Sequence, residues 1–565
     1  MRKIIVSTLF SALVLTSACK KPDPNKFETH IELIKNADTR SQGFSGLETL
    51  TATVLDAQDN DDLIDDFATK VIPAFEEIYA DAEEQQEKML DLLRKVGRPE
   101  AAPVWNMALE LDGSAGARKK VMTALDGIKK AKADGSVEKM IALNEEIIGK
   151  PALDEDGKVR LRLAETMGVV GSKLATPVLI KVMEQPKEKQ PVMVHRAAAT
   201  ALGRIADPAA VDALLTVTFR VPDAPADPTN VGVRARQSLG AIGEPAVPAV
   251  LKMLRGDHIE LQELAAKNGV AQGNIQQTAA SILGTMGAVS AVEDLQALMP
   301  TADCQPEDGK NEEEVADAAA AAGLRGVIAN ALGFIGDPRP VAALCSCSMA
   351  SKNPGDMHAI MQALGRIGGP EAVACLNEVV KAGEYDTEVV MSDFKYEPRW
   401  EAARFAVLAA GPGEVASIKE AIATNKDKKV TTETSKWDAG IALLESCKED
   451  AACYRTTLED VNADWFAREK AAFMVAKLKA GDVDSAVAVS KAFKVRNASA
   501  RENIAWLPAS MLESGTECAG CVEAFQSIIK AEINSLPGPE YLTGIVRARD
   551  TIAALRPASD AGAQE

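Results

Sequence analysis

The sequence predicts an all-α fold, a right-handed solenoid of about thirteen stacked helix pairs. Three observations predict it. One phrase recurs: Ala201-Leu202-Gly203-Arg204-Ile205-Ala206-Asp207-Pro208 returns as Ser238-Leu239-Gly240-Ala241-Ile242-Gly243-Glu244-Pro245, as Ala331-Leu332-Gly333-Phe334-Ile335-Gly336-Asp337-Pro338, and as Ala363-Leu364-Gly365-Arg366-Ile367-Gly368-Gly369-Pro370. Weaker copies surround Gly168 and Gly284. Apolar residues around each copy recur at spacings of three and four, the period of one helix face. Finally, hydrophobic residues make up 47% of the 565 residues but aromatics only 4%, which suits thin, closely packed helices better than β-structure.

Each unit reads as two helices. Val194, Ala198, Ala201, Leu202 and Ile205 form the apolar face of a first helix. Asp207-Pro208 ends it and opens the next, because Pro is tolerated in a first helical turn. Val211, Leu214, Leu215 and Phe219 form the second face. The glycine of Ala-Leu-Gly is expected to let neighbouring helices approach closely. On these residues the chain resembles HEAT repeats, in particular the short type found in phycobilin lyase-like proteins. The resemblance implies a stacked array and is nearly silent on activity.

Taken in chain order, residues 1–18 read as a lipoprotein signal peptide. Met1-Arg2-Lys3 is a basic start, Ile4 to Leu15 an apolar stretch, and Thr16-Ser17-Ala18-Cys19 a small-residue end. The segment resembles a bacterial lipobox, with Thr16 where Leu is usual. The resemblance implies lipidation of Cys19, and Lys20 after it implies outer-membrane sorting, facing the periplasm. Two or three acyl chains, at about 0.8 kcal/mol per buried methylene, make such an anchor effectively permanent. Residues 19–37 are expected to be the lipidated N-terminus and a short tether. Degenerate helix pairs are expected over 38–158, clear repeats over 159–383, degenerate repeats with a capping helix over 384–556, and a disordered tail over 557–565. The Leu-Gly glycines stand at 168, 203, 240, 284, 333 and 365. Insertions at Val221–Gly232, Gly256–Gly273, Pro300–Glu313 and Gly383–Pro398 stretch the spacing, and all fall between a second helix and the next first helix. They should gather on one rim.

Export places the cysteines in an oxidising compartment. Cys447 with Cys453, and Cys518 with Cys521, are local pairs expected to staple inter-helix turns. Cys304, Cys345, Cys347 and Cys375 are further disulfide candidates whose pairing the sequence leaves open. Cys518-Ala519-Gly520-Cys521 is also a Cys-x-x-Cys motif, but no βαβ pattern surrounds it, so a structural bridge is expected over redox catalysis.

Little else carries chemistry. None of His30, His195, His258 and His358 precedes a Glu, and none has His-x-x-x-His spacing. Deoxyhypusine hydroxylase, an enzyme of similar repeats, binds iron through His-Glu pairs that this chain lacks. His195 and His358 occupy equivalent slots near the starts of first helices, where a capping or surface role is expected. The acidic runs at 56–62 and 154–157 lack the glycine and glutamate placement of a calcium loop and suit helix starts. No catalytic residue, cofactor site or metal site is assigned. A net charge of −19 repels phosphate backbones, so nucleic acid is excluded as a partner. The expectation is a membrane-anchored, non-enzymatic scaffold binding protein partners through a concave groove of second helices or through the insertion-bearing rim. The alternatives are a lyase-like or thiol-redox enzyme, or a permanent structural subunit of an envelope assembly.

Overall fold

A computed structural model describes residues 23–56, 61–150, 155–186, 189–219, 231–299, 312–350, 354–382, 390–391, 394–395, 398–425, 434–495, 497–512, 516–534 and 542–555. Cys19, Cys304 and the expected tail lie outside them. The chain divides into two compact units after Ser136.

The N-terminal unit contains α1 (Phe27–Lys35), α2 (Arg40–Asp56), α3 (Asp61–Asp66), α4 (Ile72–Ile78), α5 (Gln86–Val96), α6 (Ala102–Ala108) and α7 (Ala115–Ala131). A π-helical turn, Phe67–Val71, joins α3 to α4. Phe27, Phe44, Phe67 and Phe75 form its aromatic core, with centroid spacings of 5.6–6.3 Å. Helix α1 corrects the expected tether over 19–37. Phe27, His30 and Ile34 are buried, and the His30 ring bonds the Pro24 carbonyl at 2.8 Å. Three buried positions in nine residues, interrupted by acids, are too short a stripe to stand out in the sequence.

The C-terminal unit begins with α8 (Val137–Ile148), α9 (Glu155–Val170), α10 (Thr176–Glu184), α11 (Val192–Ile205) and α12 (Val211–Thr218). Next come α13 (Val231–Ile242), α14 (Val247–Arg255), α15 (Ile259–Lys267), α16 (Gln272–Met286), α17 (Val292–Leu298), α18 (Glu312–Ile335), α19 (Val341–Ala350), α20 (Pro354–Ile367) and α21 (Pro370–Lys381). The chain continues through α22 (Pro398–Ala409), α23 (Val415–Thr424), α24 (Asp438–Cys447), α25 (Ala451–Glu459), α26 (Trp465–Leu478) and α27 (Val483–Lys491). It closes with α28 (Ala498–Met511), α29 (Ala519–Asn534) and α30 (Leu542–Leu555). First helices pack on first helices and second on second, so the all-α stack of pairs is present. The extra helix α15 lies inside one insertion, and a two-residue antiparallel ladder, Val390–Met391 with Phe394–Lys395, lies inside another.

The recurring phrase works as packing code. A Cβ on Gly168 would stand 2.7 Å from Ala201 Cα, and one on Gly333 would stand 2.7 Å from Ala363 Cα. In each case the neighbour is the residue two before the next unit's glycine, and Gly203 and Gly284 seat Ser238 and Ala331 in the same way. The second glycine ends the first helix in the left-handed conformation, with φ of 75° at Gly336. Ala206 takes the same slot at φ 53°, and its N–H caps the Leu202 carbonyl at 3.1 Å.

Beyond Val231 the array closes on itself. Helices α13, α16, α18, α20, α22, α24, α26, α28 and α30 succeed one another, and α30 returns to pack on α13. The sequence places a concave groove on the second helices. Here the inward face belongs to the first helices and is filled. Helices α20, α22, α26 and α28 are buried on nearly every side, as expected of helices without a solvent face.

Candidate functional site: a filled hub and an exposed rim

The hub of the ring is a chain of polar side chains. The Arg366 guanidinium on α20 donates to Asn503 Oδ1 at 2.8 Å, Asn330 Oδ1 at 3.1 Å and Glu502 Oε2 at 3.1 Å. Asn503 donates onward to Glu469 at 2.7 Å, and Glu469 accepts from Arg404 at 3.0 Å. Arg366 and Arg547 lie 3.9 and 3.8 Å from the centroid of the Phe334 ring. Arg547 and Asp550 on α30 reach Thr285 and Gln237 at 3.3 and 3.0 Å, sealing the ring. Burial lowers Arg366 to about 10, and it raises Asp550 above the usual carboxylate range. Lys470 is fully enclosed and donates to the carbonyls of Leu408 and Ala410 at the end of α22. Burial lowers its ammonium to about 7. Hub cations are therefore committed to structural partners, since an unpaired buried charge is costly.

A second device recurs at the starts of first helices. Arg160 donates to the Ile147 and Lys150 carbonyls, and His195 Nδ1 bonds the Met183 carbonyl at 2.9 Å. Arg468 reaches the Leu458 carbonyl at 3.2 Å, and Arg501 the Val495 carbonyl at 3.3 Å. Each satisfies carbonyls left open at or just past the end of the preceding second helix. His195 thus caps, as its slot suggested. His358 instead faces Glu401 at 3.5 Å and lies edge-on to Phe405.

The expected local pairs form: Cys447–Cys453 and Cys518–Cys521, with Cα separations of 5.4 and 5.3 Å. Cys345 pairs with Cys375, which the sequence left open. Cys347 is disulfide-bonded as well. Cys518 and Cys521 are both fully buried, so the Cys-x-x-Cys motif offers no accessible sulfur. Among the described residues, no group of three or more His, Cys, Asp or Glu is placed to hold a metal ion, and no helix is long and apolar enough to cross a membrane. Of the acidic runs, Asp61 and Asp62 lie in the first turn of α3. Residues 57–60 and 151–154 lie outside the described residues.

Exposed apolar side chains stand at both ends of the helix pairs: Leu174 and Val289, 62% and 49% exposed, lie where first helices lead into second, and others lie where second helices lead onward. Met193, Val233 and Ile259 are 54%, 37% and 66% exposed at the starts of α11, α13 and α15. On the same rim Trp400 stacks on Trp437 at 5.5 Å, and Trp437 meets Trp465 edge-on at 6.1 Å. Sequence reasoning missed this cluster. Its signal was there: three of the five tryptophans fall at the starts of successive pairs.

Residues 150–224 match the family described as HEAT repeats. No curated protein matches the chain. Among solved structures, human deoxyhypusine hydroxylase in complex with glycerol is 16% identical over 58% of this chain and 96% of its own, with a TM-score of 0.20. Importin beta is 13% identical over 94% of this chain and 74% of its own, with a TM-score of 0.32. A karyopherin bound to a SUMO protease is 13% identical over 94% and 67%, with a TM-score of 0.25. Superpositions this loose carry no argument about activity or partners. The helix pairs of the chain make a stacked α-solenoid, and residues 150–224 of it match HEAT repeats.

Proposed function

We propose that this HEAT array is a lipid-anchored, non-enzymatic scaffold of the bacterial cell envelope. Cys19 carries the anchor, at the outer membrane facing the periplasm, and the insertion-bearing rim recruits protein partners. The observation that carries the reading is the division of labour between the hub and the rim. Buried charges inside are spent on structural pairs, whereas the insertion-bearing rim presents the exposed apolar residues Met193, Val233 and Ile259. Exposed apolar groups rimmed by polar residues mark interaction surfaces.

Two measurements test it. Cys19→Ala should abolish incorporation of labelled palmitate and move the chain from the membrane to the soluble fraction of cells. Capture from envelope extract with the full chain should recover defined proteins that Met193→Glu with Ile259→Glu loses. A Cys19→Ala chain that stays membrane-bound would refute the anchor. Partners retained by the double variant would refute the rim.

A further inference from the structure

The Cys345–Cys375 bridge differs from the other described disulfides in its setting. It joins the second helices α19 and α21 of adjacent units, with a sequence separation of 30 residues. It also forms part of the floor of an open groove of ≈ 640 Å³, beside Val341 and Ala374. The two cysteines are unequally exposed. Cys345 is half-buried, while Cys375 is only 4% exposed. Ser348 Oγ lies 3.6 Å from Cys375 Sγ and donates to the Cys345 carbonyl at 2.8 Å. The walls carry Glu371 and Glu378, one face of α21 at a spacing of seven; Glu378 accepts from Lys381 at 3.1 Å, while Glu371 adds a second carboxylate. The cation at the groove's end, Arg339, is bound by Asp337 at 2.9 Å and Glu293 at 3.3 Å. The balance of charge over the bridge is therefore negative.

We infer that Cys345–Cys375 is a thiol–disulfide exchange site whose partner is a thiol on a positively charged molecule or segment. The incoming thiolate attacks Cys345 Sγ, the sulfur of the more exposed cysteine. The S–S bond breaks and its electron pair stays on Cys375 Sγ, leaving a mixed disulfide on Cys345. The Ser348 hydroxyl turns from the Cys345 carbonyl to the new Cys375 thiolate, and a stabilised leaving thiolate leaves faster. A second thiolate then attacks the partner's sulfur in the mixed disulfide. Two partner thiols become one disulfide, and two electrons and two protons pass to Cys345 and Cys375. Glu371 and Glu378 raise the local concentration of cationic thiols and repel anionic ones. The bridge couples α19 to α21, so exchange there changes how two neighbouring units are tied. The inference is independent of lipid anchoring.

The test uses the full oxidised chain at low ionic strength. Cysteamine and 3-mercaptopropionate are compared at equal thiolate concentration, with acid quench, alkylation and peptide mapping. Circular dichroism follows the fold throughout. The expected result is a mixed disulfide on Cys345, formed several-fold faster with cysteamine, while Cys518–Cys521 stays oxidised. Glu371→Gln with Glu378→Gln should erase most of the preference. Ser348→Ala should slow both thiols several-fold and keep the preference. An adduct on Cys375, a preference unchanged by the glutamine pair, or no cleavage in the folded chain would each overturn the inference.

Discussion

Replacing Glu469 by Gln tests whether the hub holds the ring together. The carboxylate is fully buried and accepts from Arg404 at 3.0 and 3.2 Å and from Asn503 at 2.7 Å. Glutamine keeps the shape and one acceptor but removes the charge, so the Arg404 guanidinium, 4% exposed, loses the carboxylate it bonds. Breaking a buried pair from one side costs about 3–5 kcal/mol. That lowers the folded-to-unfolded ratio by roughly a hundredfold to several thousandfold. Guanidinium unfolding followed by tryptophan fluorescence is the suitable assay. Arg404 lies 5.5 Å from the Trp465 ring and 5.9 Å from Trp437, so the emission reports on the damaged region. Glu445→Gln is the comparator. It breaks the Lys419 pair, about half exposed on both sides, and should cost at most about 1 kcal/mol. Equal shifts for the two variants would refute the reasoning. So would failure of Arg404→Met with Glu469→Leu to recover most of the loss, because removing both charges leaves no unpaired ion.

Gly333→Ala should lower the thermal midpoint by an amount equivalent to about 1–3 kcal/mol, because the new methyl would sit 2.7 Å from the Ala363 backbone. Gly240→Ala should cost clearly less, since it meets only Thr285 Cγ2 at 3.3 Å. Ala206→Gly relieves a left-handed alanine and should raise the midpoint by up to about 1 kcal/mol equivalent. Stability should climb as pH rises from 7 toward 9.5. The native state gives up the Lys470 proton near 7, whereas the unfolded chain holds it to about 10.5, so the penalty is full below 7 and is relieved above it. The ceiling is about 5 kcal/mol. Tyr79 and Tyr454, raised to about 12 by burial, act in the opposite sense only above pH 10. Lys470→Met should flatten the 7–9.5 slope, and a slope that survives the substitution would show that Lys470 is not its source.

The pattern of neighbours was legible, and the pattern of distant partners was not. Ala201, Ala331 and Ala363 stand two residues before their glycines in the sequence, and each seats on the preceding unit's glycine in space. A repeat encodes contacts between adjacent units, and that is what could be read from it. Ring closure rests on pairs such as Gln237–Asp550 and Arg366–Glu502, separated by 313 and 136 residues, which no periodicity announces. A signal was present in Phe466-Ala467-Arg468-Glu469-Lys470-Ala471-Ala472. Three charges stand there in a row inside an otherwise apolar stretch, a pattern that leaves no clean solvent face. The pairing of Cys345 with Cys375 stayed open for a related reason. Four cysteines within about two units allow several connectivities, and only the stacking of α19 on α21 selects between them.

Closure of α30 onto α13 also fixes a number. An open solenoid gains or loses a unit at little cost, because every internal junction resembles the next. Between Val231 and Leu555 this freedom is gone. One more pair would carry Asp550 past Gln237 and Glu502 past Arg366, leaving charges in the hub without partners. The stretch from α8 to α12 has no such constraint. Duplication and deletion of units should therefore be tolerated there and forbidden in the ring, so that the chain has one extensible segment and one counted one.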